Sequence, residues 1–206
     1  LFFSSNLFAN NLEISSTEIR LDKKESKIVL KGNIEAKDDK DNILKTEEAF
    51  YSKKKDLLNS IGATTIVTGE NYLFESENVV FDNKNKIIKS DFPTKITDPS
   101  GNIFLVTMFN YNSNKNMLFS KGEIKLEDIN KNIYKFNQIY IDEKKKKVIG
   151  SDAKVFFNDN KMKADVRNNP RIFANSISID EEITSVQKGV LTYCKFREND
   201  KCPPWE

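Results

Sequence analysis

The sequence predicts an all-β fold, an antiparallel β-jellyroll or solenoid of about six 30-residue repeats that is open at both ends. Three observations support this prediction. Shifting the sequence by thirty residues against itself aligns its apolar residues into five columns. Columns that lie two residues apart show the period of a β-strand, and no long stretch has apolar residues at the spacing of a helix. Turn-forming residues recur at matching positions, as in repeat proteins whose units bury their faces on their neighbours.

The five columns define the candidate core. Three of them are Ile19, Ala49, Val79, Phe109 and Ile139; Leu21, Tyr51, Phe81, Tyr111 and Ile141; and Ile28, Leu58, Ile88, Leu118 and Val148. The other two are Ala36, Ile66, Ile96, Leu126 and Phe156; and Ile14, Leu44, Phe74, Phe104 and Tyr134. Five columns that agree over five copies are too regular for chance, so the stack of repeats is the predicted fold.

Turn residues divide each unit into two strands. One series of turns is Lys23–Ser26, Lys53–Asp56, Asn83–Lys86, Ser113–Asn116 and Glu143–Lys146. The second series is Asp38–Asn42, Thr68–Tyr72, Asp98–Asn102 and Asp128–Asn132, rich in the residues that turn backbones favour. Each unit is therefore predicted to be an antiparallel pair of strands of roughly ten residues.

Glycines lie midway along several predicted strands, at Gly32, Gly62, Gly122 and Gly150. Such glycines mark a bend or a bulge, and a bent strand can contribute to two facing sheets. After the fifth unit, an insertion over 158–169 delays the next copy, and it is either a loop that contacts a partner or a longer turn. The columns are then recovered by Ile172, Ile177, Ile179 and Val186, which predicts a sixth unit that ends near Leu191.

The first nine residues, Leu1 to Ala9, are apolar or small and uncharged. They are interpreted as a residual signal peptide with cleavage after Ala9, or as a frayed first strand. A signal peptide would place the chain outside the cytoplasm. Residues 10–206 then form one domain.

Composition and motifs exclude several function classes. The 33 basic and 31 acidic residues nearly balance, which argues against nucleic acid as a partner. The chain has no His, the commonest general base and metal ligand, and no nucleophile elbow, Walker loop or dinucleotide fingerprint. The recurring Asp22, Asp82, Asp142 and Asp180 are explained by turn chemistry. We therefore expect no enzyme activity, no catalytic residue, no metal site and no cofactor.

The chain ends with Cys194, a short charged spacer, and Cys202, Pro203, Pro204 and Trp205. From the residues alone, the two cysteines either bridge each other or each pair with a cysteine outside this fragment. A stack of β repeats with this ending resembles the N-terminal periplasmic domain of the lipopolysaccharide-assembly protein family LptD. That domain belongs to the OstA-like jellyroll superfamily, which includes LptA and LptC. The resemblance covers the chain from about Asn10 to Glu206.

The resemblance implies specific roles for the cysteines and the columns. Cys202 and Cys194 would form disulfides to an outer-membrane barrel that is missing here, although the further cysteine that the family often has near its N-terminus is absent. An apolar groove would shield the acyl chains of lipopolysaccharide, and its expected lining is Ile19, Leu21, Tyr51, Val79, Phe81, Phe109, Tyr111, Ile139 and Ile141. The alternative is that these residues close on each other as a dry core.

The resemblance also implies partners and a location. The first strand, around Leu12 to Leu21, would dock an LptA-like bridge protein by edge pairing, or its Glu13, Glu18 and Arg20 would guard a free edge. An LptE-like lipoprotein would be reached through the missing barrel. The location would be the periplasmic face of the cell outer membrane. Two alternatives are a free-standing LptA-like bridge protein and a sealed structural β-solenoid of a surface protein.

Overall fold

The computed structural model describes residues 12–22, 27–158 and 169–193, which form sixteen β-strands and no helix. The strands are β1 (Glu13–Ser15), β2 (Glu18–Asp22), β3 (Lys27–Lys37), β4 (Ile43–Ser52), β5 (Leu57–Val67), β6 (Leu73–Glu77), β7 (Val80–Asp82), β8 (Ile87–Ser90), β9 (Thr94–Thr97), β10 (Ile103–Val106), β11 (Phe109–Asn112), β12 (Met117–Glu127), β13 (Ile133–Asp142), β14 (Lys147–Phe156), β15 (Arg171–Ile179) and β16 (Thr184–Thr192). The all-β prediction is confirmed.

All pairings are antiparallel and belong to one continuous sheet whose path begins at β1 and ends at β16. The sheet has two halves. Half-sheet A continues from β5 through β7, β8 and β11 to β12, and half-sheet B continues from β5 through β6, β9 and β10 to β12. The long strands β3, β4, β5 and β12 to β16 run through both halves.

The predicted strand length holds for part of the chain. Strands β3 to β5 and β12 to β14 have ten or eleven residues. Between residues 73 and 112, however, the strands have only three to five residues. Asn78 takes a φ of 48° between β6 and β7, and Pro93, which has no N–H to donate, separates β8 from β9. The two half-sheets are therefore fully separate in this region.

Three of the four midway glycines stand where long strands bend. Gly32, Gly62 and Gly122 have φ values of 74°, 71° and 100°, and the pairing register shifts beside each of them. A positive-φ glycine with an extra residue is a β-bulge, which bends the strand. Gly150 differs, because β13 and β14 keep their register there. A side chain at Gly150 would overlap the ring of Phe136, so close packing explains that glycine.

Two of these glycines form a matched test of the bends. An added Cβ at Gly62 has open space, whereas at Gly122 it would lie 2.5 Å from the Thr107 hydroxyl. We expect Gly62→Ala to destabilise the fold by about 1–2 kcal/mol through its left-handed backbone alone. Gly122→Ala should be more destabilising, because Thr107 must also move. Urea unfolding of both variants measures the difference, and equal losses would contradict the bend geometry.

Buried hydroxyls pair with the backbone groups that the bends release. The Ser60 hydroxyl accepts a hydrogen bond from the Val79 N–H at 2.7 Å. Ser90 donates to the Glu77 carbonyl and Ser120 to the Met108 carbonyl, each at 2.7 Å. Because an unpaired backbone group in the interior is costly, these small polar residues make the bends compatible with a buried position.

The two half-sheets face each other across an apolar interior. The ring of Phe74 in half-sheet B lies 5.0 Å from that of Phe109 in half-sheet A, and 6.1 Å from that of Tyr111. Strand β6 does not pair with β11, so these contacts cross the interior. The largest fully buried side chains belong to this core: Tyr111, Phe74, Phe81, Phe104, Phe109, Leu30, Ile34, Leu44, Leu58, Ile66, Ile88 and Ile96.

Several predicted features lie outside the described residues: the stub 1–9, the turn 23–26, most of the insertion 158–169, and both cysteines, Cys194 and Cys202. They stay predictions. After the insertion, β15 and β16 are joined by the connection 180–183. Between β5 and β12 the two half-sheets close a ring of eight strands, and the six-repeat stack that is open at both ends stays a prediction. Within the described residues, no helix has the length and apolar character needed to cross a membrane.

Candidate functional site

Two rows of turns face each other across a seam that runs along one side of the molecule. Turn row A joins the strands of half-sheet A and comprises 53–56, 83–86, 113–116, 143–146 and 180–183. Turn row B joins the strands of half-sheet B and comprises 38–42, 68–72, 98–102 and 128–132. Behind the seam lies the apolar interior, so the contacts between the rows decide where that interior is accessible.

Turns of row B are built on an Asp and on an Asn four residues later, in Asp38–Asn42, Asp98–Asn102 and Asp128–Asn132. Each Asp carboxylate accepts hydrogen bonds from two backbone N–H groups of its turn and from the Asn side-chain amide. The Asn side-chain oxygens then accept the N–H groups of the following turns, at Gly69, Ile129 and Asn158. This ladder keeps successive turns in register.

Polar side chains bridge the two rows over the N-terminal part of the seam. Lys86 of row A donates to Asp39 of row B at 2.5 Å. Asn116 of row A donates to Glu70 of row B at 3.1 Å. The third bridge is the carboxyl of Glu143, which accepts from the Thr68 hydroxyl at 3.4 Å. These bridges cover the interior behind residues 38–72.

Beyond Glu143 the seam opens into a cleft with a volume of about 420 Å³. Apolar side chains from both half-sheets form its floor: Phe104, Leu126, Tyr134, Val148 and Ile179. Charged residues form its rim: Glu70, Asp98, Asp128, Asp180, Glu181, Lys144 and Lys146. The cleft therefore combines an apolar floor with a larger set of polar and charged residues around it.

The ladder of row B is interrupted at the wall of this cleft. In the turn 68–72, Thr68 and Tyr72 stand where the other turns have Asp and Asn. The residue of the next turn that would donate to a side-chain amide at position 72 is Pro99, which has no N–H. The acceptor missing at position 72 is thus matched by the donor missing at position 99, and this link of the ladder is simply absent. Tyr72 and Pro99 both line the cleft.

Glu143 is the most perturbed acid at the site. Its side chain is buried, at 3% exposure, and it also accepts a hydrogen bond of 2.8 Å from the Tyr111 hydroxyl. The pKa of Glu143 is raised to about 8, chiefly by burial; the hydrogen bonds from Tyr111 and Thr68 oppose this shift, and the nearby acids Glu70 and Asp142 add to it. The carboxyl is therefore largely protonated and neutral at pH 7.

The rim acids already have partners within the chain. The pKa of Asp180 is lowered by hydrogen bonds from the N–H groups of Ile183 and Glu182. Lys146 pairs with Glu181 at 2.6 Å, and this hydrogen bond raises the pKa of Lys146. No group of side chains suited to a metal ion occurs among the residues that the structure describes. The rim is thus a set of turn caps and ion pairs around an apolar floor.

The predicted groove residues lie elsewhere. Seven of them are buried in the core: Tyr51, Val79, Phe81, Phe109, Tyr111, Ile139 and Ile141. Ile19 and Leu21 are 62% and 64% exposed, because they lie on β2 near the end of the sheet. None of the nine lines the cleft. Their role in binding lipid stays a prediction.

The cleft floor comes from the other columns, which the sequence gives equal weight. Val148, Leu126, Phe104 and Tyr134 each occupy a position where earlier repeats have a buried apolar residue. Phe104 and Leu126 are still buried, whereas Val148 and Tyr134 are half-buried, and nothing in the columns distinguishes the half-buried copies from the buried ones. The sequence gives only a weak indication of Glu143: it is an acid at a turn position where the preceding repeats have the neutral residues Asn83 and Ser113.

No protein-family model matches the sequence, and a search of curated proteins finds no significant relative. Among solved structures, the chain is similar to LptH from Pseudomonas aeruginosa, described as the LptA-homologous periplasmic component of the conserved lipopolysaccharide transport device. The identity is 12%, the match covers 69% of this chain and 82% of that chain, and the TM-score is 0.29.

Proposed function

We propose that this chain is the periplasmic jellyroll of an LptD-like protein, and that its cleft holds the acyl chains of lipopolysaccharide during their transfer toward the outer membrane. One observation carries the proposal: the apolar interior between the half-sheets opens sideways in a cleft with an apolar floor and a charged rim. Acyl chains exposed to water are costly, and a cleft of this kind removes them from water. The work is binding and transfer, with no covalent step.

Cys194 and the residues 202–205 resemble the ending of the LptD domain. This resemblance supports an LptD-like protein over a free-standing bridge protein. The coding sequence after Glu206 separates the two. Alternating strands with aromatic girdles would support a barrel and the LptD-like role, whereas a stop codon would support the bridge protein.

The N-terminal edge is the proposed docking site for an LptA-like bridge protein. Strands β1 and β2 pair only with β3 among the described strands, so their other edges can accept a further strand. Exposed Ile19 and Leu21 would be covered by such a partner. An LptE-like lipoprotein would act through the barrel.

A sealed structural solenoid is the competing proposal, and the close packing around Phe74, Phe81 and Phe109 favours it for the middle of the stack. The two functions differ in what the cleft contacts. A transport role requires alkyl chains at the floor, and a scaffold role requires none.

Site-specific photo-crosslinking in a lipopolysaccharide-producing bacterium tests the transport role. Val148 lies on the cleft floor, while its neighbour Ile149 points to the outer face and is 46% exposed. A photo-reactive residue at 148 should capture lipopolysaccharide, and one at 149 should not, although 149 is the more accessible position. Capture only from 149, or from neither position, would overturn the proposed function.

A further inference from the structure

The cleft has a definite end. Its wall on the N-terminal side is Glu143, and the ring of Tyr111 lies behind this carboxyl. Tyr111 belongs to the aromatic cluster that continues through Phe74 to Phe109. An alkyl chain that lies along the floor would therefore meet the Glu143 carboxyl before it reached this cluster.

A second cavity lies on the other side of the same wall. It has a volume of about 330 Å³, and apart from the Tyr111 ring its lining is almost entirely polar or charged, as at Ser113 and Asn116. The two cavities share Glu70 and Lys144 in their walls. The bridges Glu70–Asn116 and Thr68–Glu143–Tyr111 thus form a partition between two cavities on one seam.

The partition is held from three elements. Glu143 comes from turn row A, Thr68 from turn row B, and Tyr111 from β11. Thr68 is itself fixed, because its hydroxyl accepts the Tyr72 N–H at 3.2 Å. The Glu143 N–H donates to the Asn116 carbonyl at 3.0 Å, which fixes its backbone. The carboxyl is therefore a rigid end stop.

We propose that Glu143 is a specificity-determining residue, which ends the cleft and sets the longest alkyl chain that the cleft accepts. This inference rests on the proposed function. Within the cleft, each added methylene should tighten binding about fourfold, and the gain should stop at the chain length that reaches Glu143. Removing the carboxyl uncovers the Tyr111 ring and vacates space for a few more methylene groups, while the polar lining of the second cavity gives the chain no favourable path beyond it.

The charge of the carboxyl provides a second readout. The groups that face Glu143 are the hydroxyls of Tyr111 and Thr68, the acids Glu70 and Asp142, and Lys144 and Lys146 along the cleft wall. Because the pKa of Glu143 is about 8, the end stop is neutral below this pH and anionic above it. An anion against a methyl terminus is unfavourable, so the longest accepted chain should bind more weakly above pH 8.

The experiment uses n-alkyl maltosides from octyl to hexadecyl, each below its critical micelle concentration, so that the head group is neutral and constant. Binding is measured by calorimetry for the wild-type chain, Glu143→Ala and Glu143→Gln. Glutamine keeps the length and the acceptor oxygen and serves as the matched control. We expect Glu143→Ala to move the limit to longer chains, with about tenfold tighter binding for the first chains beyond the wild-type limit.

Glu143→Gln should accept the same longest alkyl chain as the wild type, and the binding of that chain should not weaken above pH 8. If Glu143→Ala fails to fold, Glu143→Ser offers a milder change, because Ser113 occupies the same turn position in the preceding repeat and serine also removes the carboxyl. An unchanged limit in Glu143→Ala, or in Glu143→Ser where alanine does not fold, overturns the inference and leaves the proposed function standing. No binding of any maltoside to the wild-type chain overturns both.

Discussion

Glu143→Gln should remove most of the pH dependence of stability between about pH 5 and pH 8. The folded chain holds the Glu143 proton up to a pKa of about 8, while the unfolded chain releases it near 4.5. The stabilisation that comes from the Glu143 proton is therefore fully present below pH 4.5, falls as the pH rises, and is lost above about pH 8. The total loss is on the order of a few kcal/mol. Glutamine stays neutral throughout, so its stability curve should be nearly flat.

The composition of the chain simplifies the interpretation of this measurement. The chain has no His, so the side chains that usually titrate in this window are absent. Guanidinium unfolding midpoints at a series of pH values give the two curves. Glu181→Gln is the matched control, because Glu181 lines the same cleft but is exposed and paired with Lys146. If wild type and Glu143→Gln had parallel curves, the buried position of the carboxyl would be wrong.

Phe109→Ala should destabilise the fold by about 3–5 kcal/mol. The side chain is fully buried, and its ring packs on Phe74 across the interior at 5.0 Å. Its removal leaves a cavity between the two half-sheets. The neighbouring repeats hold these half-sheets in place, so the site cannot fully collapse.

The control for this change is Phe50→Ala, because Phe50 is 38% exposed on the outer face of β4. Phe50→Ala should destabilise the fold by less than about 1 kcal/mol. Thermal or urea unfolding compares the two variants. Similar small losses would mean that the half-sheets do not pack on each other at this level of the stack.

The repeat pattern predicted which residues face inward, and it did so well in the middle of the stack. Val79, Phe81 and Phe109 are fully buried, as residues with neighbouring rungs on both sides should be. The same columns contain Ile19 and Leu21, which are exposed because their rung is near the end of the sheet. Periodicity shows the position of a residue within its repeat, but it does not show how many neighbouring repeats cover that residue.

The position of the cleft could not be predicted in the same way. It depends on contacts between turns that are far apart in sequence, such as the hydrogen bond from Thr68 to Glu143 across 75 residues. Val148 in the floor and Leu58 in the sealed core belong to one column and look alike as sequence. Only the closing of the seam by Glu143, Glu70 and Asp39 distinguishes the two environments.

The central claim is that alkyl chains occupy the cleft, and methyl NMR with a chain-end spin-labelled lipid tests it most directly. Paramagnetic broadening should affect the methyl groups of Leu126, Val148 and Ile179 on the cleft floor. The methyl groups of Leu30 and Ile34 in the buried core of β3, at the other end of the sheet, should keep their line widths. Broadening that spares the floor, or that appears only at outer-face methyl groups such as those of Ile149, would contradict the account.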